Sequence, residues 1–132
     1  PRGRISELKS RTVPYPQALK DTILRYFMFE AGFSLMFAED NIDKDDIYYV
    51  CGHYFRSISC LNQVLFALNE EYCINEKKAV KMVEGFKIKP RDYKKRVDRI
   101  FTLLSADSSS ARECINMLKE LVAETEELIR YY

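Results

Sequence analysis

Three groups of residues in this 132-residue chain have the types and spacing for chemistry. The first is Asp43-Lys44-Asp45-Asp46, whose D-x-D spacing is one in which two carboxylates hold Mg²⁺. Such a site needs its acids on a rigid element beside a phosphate-holding loop. No GxxxxGK or GxGxxG occurs in the chain, and Asp43 and Asp45 stand where a helix opens, so helix capping is the expected use of both. The second is His53, the one histidine. Its neighbours one helical turn away are Tyr49, Val50, Arg56 and Ser57, and none completes a nucleophile–base pair. It is expected on the polar face of its helix. The third is a stripe at positions 55, 59, 62, 66, 69 and 73, which reads Phe, Ser, Asn, Phe, Asn, Cys. Asn62 and Asn69 lie two turns apart beside large aromatics, and amides there need partners. Either they satisfy groups inside the domain, or they line a binding groove with Arg56, Tyr72, Glu76 and Lys77.

The elements that must position these residues are helices. From Gln17 to about Glu39 the pattern is helical but apolar on nearly every side, which requires a central position or a cover. After the acidic stretch 39–46, Ile47, Cys51, Tyr54, Ile58, Leu61, Leu65, Leu68 and Tyr72 recur at four-then-three spacing. This is a long amphipathic helix with a seam-like stripe, expected to end at Tyr72. Gly32 and Gly52 fall inside these two helices, where close backbone approach would offset their helix-breaking cost. Asn75 is placed to cap a third, short helix, with Ile74 and Ala79 as a hydrophobic staple and Gly85 as terminator. A fourth carries Tyr93, Val97, Ile100, Phe101 and Leu104. A fifth starts at a capping box of Ser110 and Glu113. Residues 1–14 are expected as a linker or domain-entry segment, and residues 15–132 as one all-α domain, a five-helix antiparallel bundle of three long and two shorter helices.

Composition narrows the function classes. With 47% hydrophobic and 31% charged residues and only four glycines and four prolines, the chain reads as globular. A formal net charge of +1 gives no global attraction to nucleic acid or anionic lipid. The stretch from Lys87 to Arg99 is locally basic, with Tyr93 among the charges, but a solvated helix face explains it more simply than RNA binding. Cys51, Cys60, Cys73 and Cys114 include no CxxC pair, and with a single histidine they offer no metal set. A cytoplasmic, non-membrane protein is expected.

The string LFALNEEYCINEKK at 65–78, followed by a Phe-Lys-x-Lys-Pro connection and a further amphipathic helix, resembles the C-terminal helical domain of minimal and kanamycin-nucleotidyltransferase-like nucleotidyltransferases. VPYPQALKDTIL at 13–24 resembles the approach to that domain. The likeness runs from about residue 8 to residue 104 and is most specific at Leu68, Asn69, Tyr72, Glu76 and Lys77. It implies a domain that positions an acceptor substrate for nucleotidyl transfer. The transfer itself would fall to an N-terminal domain of the DNA polymerase β type, which binds Mg²⁺ and a nucleoside triphosphate through a Gly-Ser turn and a strand-borne D-x-D. This chain has neither feature and is not expected to be catalytic alone. Starting at Pro1, it reads as a piece of a longer protein, and part of its apolar first long helix would face the missing domain. Asn69, Tyr72, Glu76 and Lys77 match the motif, with Asn62 and Arg56 beside them as substrate-binding candidates. The alternatives are a stand-alone helical module that dimerises through its aromatic helix and a small RNA-binding helical protein.

Overall fold

The computed structural model describes residues 2–132. Among these it has no strand and six helices: α1 (Arg2–Ser10), α2 (Gln17–Glu39), α3 (Ile47–Leu68), α4 (Ala79–Val83), α5 (Tyr93–Leu103) and α6 (Ser108–Tyr131). The chain is therefore all-helical, and the expected five helices become six. The addition is α1, which falls in the expected linker. Five of its nine residues, the two arginines, Glu7, Leu8 and Lys9, are good helix formers, Arg11 reaches back to Glu7 at 2.7 Å, and Ser10 Oγ donates to the Glu7 carbonyl at 2.7 Å. It buries almost nothing, since Ile5 and Leu8 are more than half exposed.

α3 is the centre. Tyr54, Ile58, Leu61, Leu65 and Leu68 of its seam are all buried, each contributing about 1.5–3 kcal/mol of hydrophobic stabilisation. α2 packs along it, α6 lies against α2, α5 and α3, and α4 bridges α3 and α5. Polar ties fix the register of this arrangement. The Tyr54 hydroxyl donates to the Ala111 carbonyl of α6 at 2.9 Å, Ser57 Oγ donates to the Ala31 carbonyl of α2 at 2.9 Å, and the Tyr93 hydroxyl of α5 donates to Asn62 Oδ1 at 2.9 Å. Burial raises the pKa of both tyrosines well above the ordinary value, so both remain donors.

Several helix ends differ from expectation. α3 stops at Leu68 rather than Tyr72, because Glu70 turns into the left-handed region (φ 58°). The Glu71 N–H then bonds the Phe66 carbonyl and the Glu70 N–H the Ala67 carbonyl, the double bond of a Schellman stop. Asn75 does not cap α4. The N-cap is Lys78, left-handed at φ 65° and without a side-chain cap, and Ile74 is 89% exposed, so no staple forms. Gly85 has no positive φ and ends no helix by that route. α6 begins earlier than the Ser110–Glu113 box, at Ser108, with Asp107 accepting from the Ser110 N–H at 3.3 Å. Neither Gly32 nor Gly52 marks a close approach, since a Cβ at either would meet nothing within 4 Å.

Candidate functional site

α2 and α3 diverge on one side to leave a groove of about 520 Å³. Tyr26, Phe27 and Glu30 line it from α2; Phe55, Arg56, Ser59, Cys60 and Gln63 line it from α3; Glu76 closes it from the α3–α4 connector. The rings of Tyr26, Phe27 and Phe55 supply the apolar part of its lining. Within the lining Arg56 is ion-paired with Glu30, an interaction that holds the Arg56 pKa above its ordinary value through the hydrogen bond first and the charge second. The Glu30 side chain is only 14% exposed, and a carboxylate so covered needs such a partner.

Glu76 reaches the rim through two local devices. Gln63 Nε2 donates to the Cys73 carbonyl at 3.5 Å, tethering the connector to α3. Asn75 Oδ1 then accepts from the Lys77 N–H at 2.9 Å, an Asx turn that sets the direction of the residue between them. The lining carries carboxylates, a guanidinium, an amide and a hydroxyl, all suited to orienting a polar ligand on aromatic walls. It carries no activated nucleophile. Burial raises the Cys60 thiol to about 11 against a smaller opposing pull from Arg56, so it stays protonated near neutrality, and no base lines the groove beside Ser59 other than carboxylates at its rim and centre.

Of the six residues singled out from the sequence, the groove takes Arg56 and Glu76. Asn62 is 4% exposed and spent on Tyr93. Asn69 caps the C-terminus of α3: its Nδ2 donates to the carbonyls of Leu65 (2.7 Å) and Ile88 (2.8 Å), and its Oδ1 accepts from the Ile88 N–H at 3.0 Å. It staples the α4–α5 connector to α3. Tyr72 holds the lead-in segment, its hydroxyl donating to the Thr12 carbonyl at 3.0 Å and its ring lying 4.7 Å from that of Tyr15. The Lys77 side chain is exposed. Sequence reasoning missed Glu30, although its signal was present: it is the sole charge between Tyr26 and Ala38, and a charge inside an apolar helix must find a partner.

The other candidates resolve locally. Asp46, not Asp43 or Asp45, caps α3, accepting from the Tyr49 N–H at 3.2 Å. Asp43 is ion-paired with Arg112. No group of three or more His, Cys, Asp or Glu among the described residues is arranged to hold a metal ion. His53 is not a polar-face residue but sits between the rings of Phe37 (5.4 Å) and Tyr49 (4.5 Å), with Nδ1 buried and unbonded. Burial, and then the nearby Arg56, lower its pKa. Four of the seven basic residues from Lys87 to Arg99 are ion-paired: Arg96 grips Glu124 with two bonds of 2.7 Å, Lys94 pairs with Asp98, Arg99 lies 3.5 Å from Glu113, and Arg91 lies 3.7 Å from Asp92. All four cysteines are free thiols, and no described helix is long and apolar enough to cross a membrane.

None of the protein-family models, curated proteins or solved structures compared with this chain matches it.

Proposed function

We propose that this chain is the acceptor-binding helical domain of a cytoplasmic nucleotidyltransferase, whose transfer chemistry belongs to an N-terminal domain of the same protein. The observation that carries the reading is the α2–α3 groove, where Tyr26, Phe27 and Phe55 share the lining with Glu30, Arg56 and Glu76 and no nucleophile is activated. Such a lining is equipped to hold and orient a polar ligand. The resemblance of residues 65–78 to nucleotidyltransferase helical domains supports the assignment, because Glu76 of that string is also the residue that closes the groove. We read residues 15–132 as a single domain in which α2 to α6 form a five-helix antiparallel bundle, supported by the short connector between α2 and α3 and their pairing along much of their length.

In this reading Arg56 and Glu76 contact the acceptor, while Asn62, Asn69 and Tyr72 hold the frame that presents them. Mg²⁺ and the nucleoside triphosphate are held by the other domain. Glu76, at the rim, is placed to accept a hydrogen bond from an acceptor hydroxyl or to take its proton as it attacks. The RNA-binding alternative is weakened by the ion pairs that occupy Arg96, Lys94, Arg99 and Arg91, which leave Lys87, Lys89 and Lys95 as the basic residues of the stretch without an acidic partner among the described residues.

The test is Glu76→Gln in the full-length protein. The Glu76 side chain makes no hydrogen bond or ion pair among the described residues, so the variant should melt with the wild type. Acceptor kcat/KM should fall about tenfold or more, while nucleotide affinity stays unchanged. Unchanged acceptor kinetics would overturn the role of the groove.

A further inference from the structure

One side of α2 has no cover. Leu19, Thr22, Tyr26, Phe29, Phe33 and Met36 follow one another at alternating three- and four-residue steps, and all are exposed. That spacing is the seam of a paired helix. It is distinct from the face that α2 already buries through Ala31, Leu35 and Ala38. We propose that the occupant is a second copy of this chain, with α2 lying antiparallel against α2 of the partner across a two-fold axis. Tyr26 and Glu30 border both this seam and the groove, but the pairing rests on no assumption about what the groove binds.

The charges beside the seam are self-complementary in that direction. Arg25, Gly32 and Glu39 follow at seven-residue steps along one edge. Antiparallel pairing centred near Phe29 and Phe33 sets Arg25 of each copy against the partner's Glu39, twice by symmetry. The Arg25 side chain has no hydrogen bond or ion pair within its own chain among the described residues, and Glu39, though paired with Lys119, keeps a side chain 45% exposed. A parallel pairing would instead bring Arg25 to Glu30, which Arg56 already occupies.

Gly32 then lies opposite the partner's Gly32. A Cβ there meets nothing within 4 Å, so the chain's own fold makes no use of the gap, whereas two facing glycines let helix backbones approach. On the other edge Glu30 meets the partner's Glu30, a repulsion that Arg56 offsets in each copy.

The area suffices. Tyr26, Phe29, Phe33 and Met36 leave 54%, 66%, 42% and 47% of their surface exposed, together about two whole large side chains, or roughly 400 Å² per copy. With Leu19, Thr22 and the Arg25–Glu39 ends, two copies bury about 1,000 Å², the lower bound for a specific interface.

Sedimentation equilibrium on the 132-residue chain tests this. The wild type is expected at twice its 15.6 kDa mass at about 100 µM. Phe29→Glu, which changes an exposed residue, should weaken association by about a hundredfold with circular dichroism unchanged. Arg25→Glu should weaken it about tenfold, and Arg25→Glu combined with Glu39→Lys should restore it. A wild type that stays at monomer mass, or a dimer that survives Phe29→Glu, overturns the proposal. Failure of the double variant to re-associate while Arg25→Glu is monomeric overturns the antiparallel direction.

Discussion

Replacing Asn69 by alanine separates a frame residue from a binding residue within one short stretch of chain. The substitution removes two donated bonds and one accepted bond, and the group most affected is Ile88, which loses the partners of both its N–H and its C=O. The Leu65 carbonyl keeps its bond from the Asn69 N–H at 3.2 Å. A buried polar group left unpaired costs about 1–3 kcal/mol. Ile88 is half-buried, so water satisfies part of the loss and the low end applies to each group, about 2–3 kcal/mol together. For a chain of this length that lowers Tm by roughly 6–12 °C. The assay is thermal unfolding followed by far-UV circular dichroism, with Lys77→Ala measured alongside. The Lys77 side chain has no partner among the described residues, so its removal should stay within about 0.5 kcal/mol of wild type. An Asn69→Ala variant that melts with the wild type would refute the stapling role.

Two further outcomes follow from local geometry. Gly52→Ala should stabilise the chain by about 0.5–1 kcal/mol, because the helix gains a better former and the new Cβ has open space; chemical denaturation reads this, and destabilisation would mean that the helix needs the gap. His53 makes stability pH-dependent. Its folded-state pKa lies below the ordinary 6.5, so the unfolded chain binds the proton more readily, and the stability is complete above that value and lost as pH falls through the folded pKa. Tm measured from pH 7.5 down to about 5, above the range where exposed carboxylates titrate, should decline below 6.5, and His53→Gln should flatten the decline; parallel curves for the two proteins would contradict the burial of the ring.

The long helices were legible because their apolar residues repeat over many turns. α2 runs over Gln17–Glu39 and α3 begins at Ile47, as the patterns at those positions imply. The helix ends were less legible, because several nearby residues compete for each cap. Asp107 takes the cap that the Ser110–Glu113 spacing pointed to, and Glu70 ends α3 in a left-handed conformation that its side chain does not advertise. α1 was hidden because a helix without an apolar stripe leaves no periodic signal. At the site, the sequence pointed correctly to amides that need partners, but whether Asn62 and Asn69 turn inward depends on where Tyr93 and Ile88 arrive from elsewhere in the chain. Glu30 and Arg56, 26 residues apart, meet only once α2 and α3 are paired.

The central claim is that this helical domain serves a nucleotidyl-transfer domain preceding it in the same protein. The measurement that tests it most directly is to sequence the reading frame upstream of Pro1. The account predicts a domain carrying a Gly-Ser turn followed by a strand-borne D-x-D. A frame that opens at or near Pro1, or one that encodes no such pair, would contradict it.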